Sequence, residues 1–384
     1  MQVISKREQK LPKTEFDKIL QMAAERKDII SLGPGEPDFS PSKGIIDAAK
    51  KALSQGKTHY LPANGLSSLR ELIAGKLKKE NKIDVDISQI IVTCGSSEAM
   101  FLSKIVLIDP TEEVLVPDPG FLSYAPETEI LDGVPISFPL KFEDGFQYDV
   151  DEIEKLVNEK TKILTINTPS NPTGTVLKKK LLEEIADLAI EKKLMIIADE
   201  AYEKFVYEDN KHVSIGSLNG MEDHVITFQT FSKTFAMPGF RIGYAAGPEK
   251  VISAMTRSHI YSSICAPSIS QYAAIEALKE NKKHVEKMRR EYERRGRMMF
   301  KRVSKMNIFE VKKPEGAFYL FPKISHNMSS MKLMHFLLEK AEVLVVPGNE
   351  FGRNGEGFVR MSYATSFEKI EKAMDRIDKS IKKL

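Results

Sequence analysis

The sequence predicts an α/β protein: a large domain with a mostly parallel sheet covered by helices, plus a smaller α+β domain drawn from both chain ends. Three observations lead there. Between residues 89 and 245, β-branched runs alternate with amphipathic helical stretches, the pattern of repeated βαβ units. After about Pro267 that rhythm gives way to a long charged helical stretch, then short strands and single helices. At 384 residues the chain is also too long for one small core. The expected boundaries are 45–280 for the large domain and 1–44 with 281–384 for the small one.

Taken in order, residues 14–27 predict a helix, with Thr14 and Asp17 as a cap and Phe16, Ile19, Leu20 and Ala23 as its apolar stripe. Gly33-Pro34-Gly35-Glu36-Pro37 cannot continue it. Its glycines let a backbone N–H approach a ligand closely, although a plain linker has the same composition. Helices are expected over 43–54 and 66–79, with the loop Thr58–Gly65 between them. Gln89–Cys94 reads as a buried strand turning through Gly95-Ser96-Ser97 into a helix rich in Ala, Met and Leu. Free N–H groups and the helix dipole favour an anion at such a turn, though many α/β turns look alike.

Further strands are expected over 114–116, 162–167, 194–198, 225–228 and 241–245, with a helix over 177–192. Each strand runs into a polar or aromatic segment. These are Pro117–Tyr124 with Phe121, Thr168–Gly174 with Asn171, then Asp199-Glu200-Ala201-Tyr202, and the loop holding Lys233. Ligands of open α/β sheets bind at such strand ends. Beyond them, 270–306 predicts a long charged helix. Strands over 308–311, 317–321, 343–346 and 358–362 follow, with helices over 330–340 and 367–383.

Composition narrows the function. A net charge of +3 from 57 basic and 54 acidic residues argues against a nucleic-acid surface. The basic cluster from Lys282 to Arg297 is interspersed with Glu286, Glu291 and Glu293 at helical spacing, as on a solvated face. Two isolated cysteines, Cys94 and Cys265, make neither a disulfide framework nor a zinc site. The seven histidines lack metal-ligand spacing, so no metal is expected. With a polar N-terminus and no apolar run of spanning length, a cytoplasmic protein without a membrane partner is expected.

Thr230-Phe231-Ser232-Lys233-Thr234, with Arg241 eight residues after the lysine, carries the chemistry. A lysine in an apolar setting loses its proton readily and forms a Schiff base with an aldehyde. Arg241 can hold a phosphate by paired hydrogen bonds, with Thr230 and Ser232 as further donors. An aldehyde that also carries a phosphate suggests pyridoxal 5′-phosphate (PLP). A surface lysine is the plain alternative.

Five ordered motifs decide between them: Gly35-Glu36-Pro37-Asp38-Phe39, Ser170-Asn171-Pro172-Thr173-Gly174, Asp199-Glu200-Ala201-Tyr202, the run from Phe231 to Gly243, and Gly357-Phe358-Val359-Arg360-Met361-Ser362-Tyr363. Over nearly its whole length the chain resembles the class I/II aminotransferases, PLP enzymes of fold type I. The resemblance implies a seven-stranded sheet in the PLP-binding domain. It implies Lys233 as the Schiff-base lysine and Asp199 as the partner of the pyridine nitrogen. Tyr202 and Asn171 become donors to the phenolic oxygen, and Phe121 the aromatic that stacks on the ring. Gly95, Ser96, Ser97, Thr230, Ser232 and Arg241 become the phosphate cradle. Tyr60 becomes a tyrosine reaching the neighbouring subunit's phosphate, hence a homodimer with shared active sites. Arg360, Gly35 and Asn171 become the grip on the substrate α-carboxylate.

Departures from the family pattern are Thr230 for Ser, Pro238 for Thr, Phe240 for Trp, and the absence of any Trp. Read singly, Asp199 is also a helix cap, Tyr202 and Phe121 core aromatics, and Asn171 a turn residue. Arg360 resists such a reading, because a charge inside a strand needs a partner. The implied reaction moves an amino group from an L-amino acid, aspartate first and aromatic amino acids second, to 2-oxoglutarate. A PLP-dependent C–S lyase, an aminocyclopropane-carboxylate-synthase-like enzyme and a non-catalytic PLP sensor are the alternatives. Lys57, His59, Lys104 and Arg257 are unranked candidates for reading a second substrate carboxylate.

Overall fold

The computed structural model describes residues 3–9, 11–12, 21, 25–26, 28–280, 282–382 and 384. Most of the helix expected over 14–27 lies outside them. The centre is a seven-stranded sheet of β1 (Ile90–Thr93), β2 (Glu113–Asp118), β3 (Val134–Pro139), β4 (Thr161–Asn167), β5 (Met195–Asp199), β6 (Val225–Thr230) and β7 (Gly243–Ala246). Their order across the sheet is β1-β7-β6-β5-β4-β2-β3. Only β7 runs against its neighbours, β1 and β6. The other six strands therefore deliver their C-terminal ends to one edge.

The strand sequences are continuous apolar runs because both faces are covered. Leu164, Ile166, Ile196 and Ala198 pack with Leu182, Ile185 and Ala189 of the helix Lys179–Glu191. Their sequence neighbours Ile163 and Ile197 point the other way, with Ile226 and Phe228. That face meets Ala99, Met100 and Leu102 of the helix Ser96–Leu107 and Ile252 and Met255 of the helix Glu249–Ser262. The strand that sequence reading passes over is β3, at the sheet edge. It is half exposed and contains Pro135 and Pro139, which an edge strand tolerates.

Against the sheet sits a second core built from the C-terminal segments. The strand Val359–Ser362 pairs with Tyr319–Leu320 and with Val346–Pro347, both antiparallel. Ile30–Ser31 pairs with Val343–Leu344, so the chain's beginning joins this layer. Helix fills the stretch expected over 270–306 on both sides of residue 281, which lies outside the described residues: Ser268–Glu280 before it and Lys282–Val303 after it. On the second, Glu286 and Glu291 pair with arginines three or four residues on, as expected of a solvated face. Arg295 differs: it is buried and holds Asp38 at 2.8 Å, while Phe39 meets Tyr292 edge-on at 5.5 Å. These contacts fasten the Gly35 loop to the helix.

Candidate active site

Register puts the polar residues side by side. Asn167 lies opposite Asp199, Asp199 opposite Phe228, Thr230 opposite Gly243, and Gly243 opposite Thr93. Above these ends is a cavity of about 250 Å³. The structure brings Gly35, Gly95, Ser96, Ser97, Phe121, Asn171, Asp199, Tyr202, Thr230, Ser232, Lys233, Arg241 and Arg360 to it. Tyr60 stands apart, 79% exposed on the surface.

Lys233 lies in one helical turn, Phe231–Thr234, directly after β6. Thr230 caps this turn: its hydroxyl accepts from Ser232 N at 3.1 Å and donates to the Ile242 carbonyl at 3.4 Å. That hydroxyl shapes the turn, and Thr230 lines the cavity beside the other residues expected at the phosphate. Lys233 Nζ donates to the Gly35 carbonyl and lies 5.9 Å from the centre of the Tyr202 ring. Burial, reinforced by the Arg360 guanidinium, lowers its ammonium to about 8.

Asp199 is buried, and burial raises its carboxyl group. Its Oδ2 accepts from Tyr124 Oη at 2.7 Å and its Oδ1 from Ala201 N at 3.1 Å. Tyr124 is a functional candidate that sequence reading missed, although it ends the quoted segment Pro117–Tyr124. Tyr319 is another. Its hydroxyl is 2.6 Å from that of Tyr202, and a Cβ on Gly35 would come within 2.5 Å of it. Gly35 is thus a glycine because a tyrosine hydroxyl occupies the space beside it.

Tyr124→Phe removes one of the carboxylate's two donors. A charge-assisted hydrogen bond contributes about 1.5–3 kcal/mol, so kcat is expected to fall about tenfold or more. Steady-state kinetics check this; an unchanged kcat would show that Asp199 does not depend on Tyr124.

The turn expected at Gly95-Ser96-Ser97 forms. Gly95, with φ +93°, precedes the helix Ser96–Leu107. A Cβ there would meet Arg241 Nη2 at 2.8 Å, so the glycine lets the guanidinium close on the turn. Arg241 is not in the strand expected over 241–245. It follows the turn Pro238–Phe240 with φ +48°, and β7 begins at Gly243. Its guanidinium bonds the Pro238 and Cys94 carbonyls at 3.0 and 3.4 Å.

Arg360 is buried and donates to Asn171 Oδ1 at 2.8 Å and to the Gly33 carbonyl at 2.6 Å. Both acceptors are neutral. Its guanidinium lies between the Tyr319 and Phe351 rings, 4.5 and 4.7 Å from their centres. Nε is buried with no hydrogen-bond partner among the described residues. A buried cation with neutral acceptors and an idle donor suits an incoming carboxylate.

None of the four candidates for a second carboxylate lines this cavity. Lys104 is buried with its Nζ on the Tyr124 carbonyl and Glu127, at 2.7 and 3.1 Å. Arg257 donates to Ser253, Lys57 lies near the Tyr272 ring, and His59 shares an outer pocket with Tyr60.

The family description "Aminotransferase class I and II" matches residues 27–377. The chain belongs to the class I and II aminotransferases. It is 48% identical to the aspartate aminotransferase of Pyrococcus abyssi over 373 residues, 96% of each chain. Identity to aromatic-amino-acid aminotransferase 2 of Thermococcus litoralis is also 48%, again over 96% of each chain. The crystal structure of the aromatic aminotransferase from Pyrococcus horikoshii superposes with a TM-score of 0.91 at 47% identity, covering 95% of this chain and 99% of that one.

The enzyme is a PLP-dependent transaminase. Its cavity suits the cofactor: a helix N-terminus with Ser96, Ser97 and Arg241 for a phosphate, a buried carboxylate for a ring nitrogen, and an amine for an aldehyde. Among the described residues no helix is long and apolar enough to cross a membrane.

Proposed function

We propose that the enzyme transfers the amino group of aspartate to 2-oxoglutarate, with Lys233 as both cofactor anchor and proton carrier. One observation carries this reading. Lys233 is half-buried, its ammonium is held down to about 8, and it shares one cavity with Asp199 and Arg360.

Bound PLP supplies the carbonyl carbon that accepts the amino group, together with an electron-withdrawing ring. The rest falls to residues of this chain. Arg360 grips the substrate α-carboxylate through two parallel N–H donors, with the Gly35 backbone and Asn171 beside it. That grip turns the Cα–H toward Lys233. Lys233 Nζ, as a free amine, would be the base that takes the Cα proton and hands it on. A base near 8 is partly neutral at working pH yet basic enough to act. Asp199 keeps a proton on the ring nitrogen, oriented by Tyr124. With Asn171 Oδ1 taken by Arg360, its Nδ2 is the group left to join Tyr202 in donating to the phenolic oxygen. Phe121, in the cavity lining, would be the aromatic that stacks on the ring. Gly95, Ser96, Ser97, Thr230, Ser232 and Arg241 would hold the phosphate. A second oxo acid reverses the steps, which predicts ping-pong kinetics.

The surface position of Tyr60 supports a homodimer in which that tyrosine reaches the neighbouring subunit's phosphate. Free Cys94 and Cys265 suit a reducing compartment, the cytoplasm.

Aromatic amino acids are the second reading. Met100, Phe121, Leu122, Tyr202 and Tyr319 line the cavity, and its lining cations are Lys233, Arg241 and Arg360. A panel of amino acids with 2-oxoglutarate as acceptor separates the two. Aspartate is expected to give a higher kcat/KM than phenylalanine and tyrosine. A preference for the aromatics would overturn the first reading in favour of the second.

A further inference from the structure

Glu98 sits in the first turn of the helix Ser96–Leu107, directly after the phosphate turn. Its Oε2 accepts from Cys94 N at 2.6 Å, and its Oε1 accepts from Ser263 Oγ. His259, fully buried on the helix Glu249–Ser262, places Nε2 3.1 Å from Glu98 Oε2. The contact is an ion pair rather than an aligned hydrogen bond. On the other side of the ring, Nδ1 donates to the Ala63 carbonyl at 2.8 Å. Burial opposes both charges. Even so, contacts with His259, Ser263 and Cys94 N hold Glu98 at about 2, and contacts with Cys94, Glu98 and Ala63 hold His259 up to about 10.

Ala63 belongs to the loop that presents Tyr60. Other ties to this loop are Leu61 N to Cys265 Sγ at 3.4 Å, Val92 N to the Asn64 carbonyl at 3.1 Å and Arg70 Nε to the Gly65 carbonyl at 3.3 Å. His259 joins it, through one imidazole ring, to Glu98 and so to Cys94 beside Gly95, Ser96 and Ser97, while Asn64 reaches the preceding strand at Val92.

We infer that Glu98 and His259 form a positioning clamp, tying each subunit's own phosphate turn to the loop that sends Tyr60 into its neighbour's site. The inference rests on the shared-site reading above. Neither residue lines the cavity; they act through Cys94 and Ala63, and the clamp links the two cofactor sites of a dimer.

The test is the PLP dissociation constant of the holoenzyme, from equilibrium dialysis against graded PLP, for Tyr60→Phe, His259→Gln, Glu98→Gln and the pairs Tyr60→Phe/His259→Gln and Tyr60→Phe/Glu98→Gln. Tyr60→Phe and His259→Gln are each expected to raise the constant about tenfold, the effect of one hydrogen bond, and Glu98→Gln somewhat less. Each double variant is expected to be no weaker than its weaker-binding single, because both changes remove one contact. A purely structural role would not produce that non-additivity. Multiplying effects, or a His259→Gln enzyme with wild-type affinity beside a weakened Tyr60→Phe, would overturn the clamp alone. A Tyr60→Phe enzyme with wild-type affinity would overturn the shared-site reading and the clamp with it. Glu98→Gln is isosteric and keeps the cycle measurable if His259→Gln does not fold.

Discussion

Lys233→Ala is expected to abolish the visible absorption band of the cofactor-bound enzyme and to lower kcat by about ten-thousand-fold or more. Two functions are lost together. The amine is the covalent anchor, and it is also the base near the substrate Cα. The site supports both at once because burial and the Arg360 guanidinium bring the ammonium down to about 8. Below that pH the amine is increasingly protonated and serves neither role. Lys233→Arg should fail like alanine, because a guanidinium stays charged at any working pH. Thermal unfolding and PLP content, measured beside the kinetics, separate lost chemistry from lost fold. A Lys233→Ala enzyme with wild-type turnover would remove the basis of the mechanism.

Arg360→Ala is expected to raise KM for amino acids on the order of 100-fold, since truncating one partner of a buried charged pair costs about 2–5 kcal/mol. PLP affinity should change only a few-fold. The geometry explains why the two separate. Arg360 stands on the strand Val359–Ser362, with its donors on Asn171 and Gly33 and its plane between two rings. The phosphate turn and Arg241 belong to the sheet edge, on other elements. Arg360→Lys should recover only part of the loss, because a point charge cannot replace a planar fork. Loss of cofactor with an unchanged KM would contradict the carboxylate grip.

The sheet was legible where both faces of a strand are buried. Ile163-Leu164 and Ile196-Ile197 send adjacent apolar side chains to opposite cores, so each strand reads as an unbroken run. Val134–Pro139 escaped because an edge strand is half exposed and admits proline. Arg241 was assigned to a strand because its left-handed backbone leaves no mark when the residue is not glycine.

Within the site, the residues that were legible carry unusual chemistry for their place, such as a lysine after a strand or an arginine inside one. Tyr124 and Tyr319 were passed over because a buried tyrosine is ordinarily core. Only their hydroxyl contacts, with Asp199 and Tyr202, mark them out. Lys104 shows the converse. Sequence offers its charge as a candidate, but the face of its helix takes it to Glu127 and away from the cavity.

The account stands on Lys233 as the point of attachment. Borohydride reduction of the native enzyme followed by peptide mass mapping tests this most directly. The reduced pyridoxyl phosphate group is predicted on the peptide containing Lys233 and on no other. A label on another lysine, with Lys233 unmodified, would contradict the account.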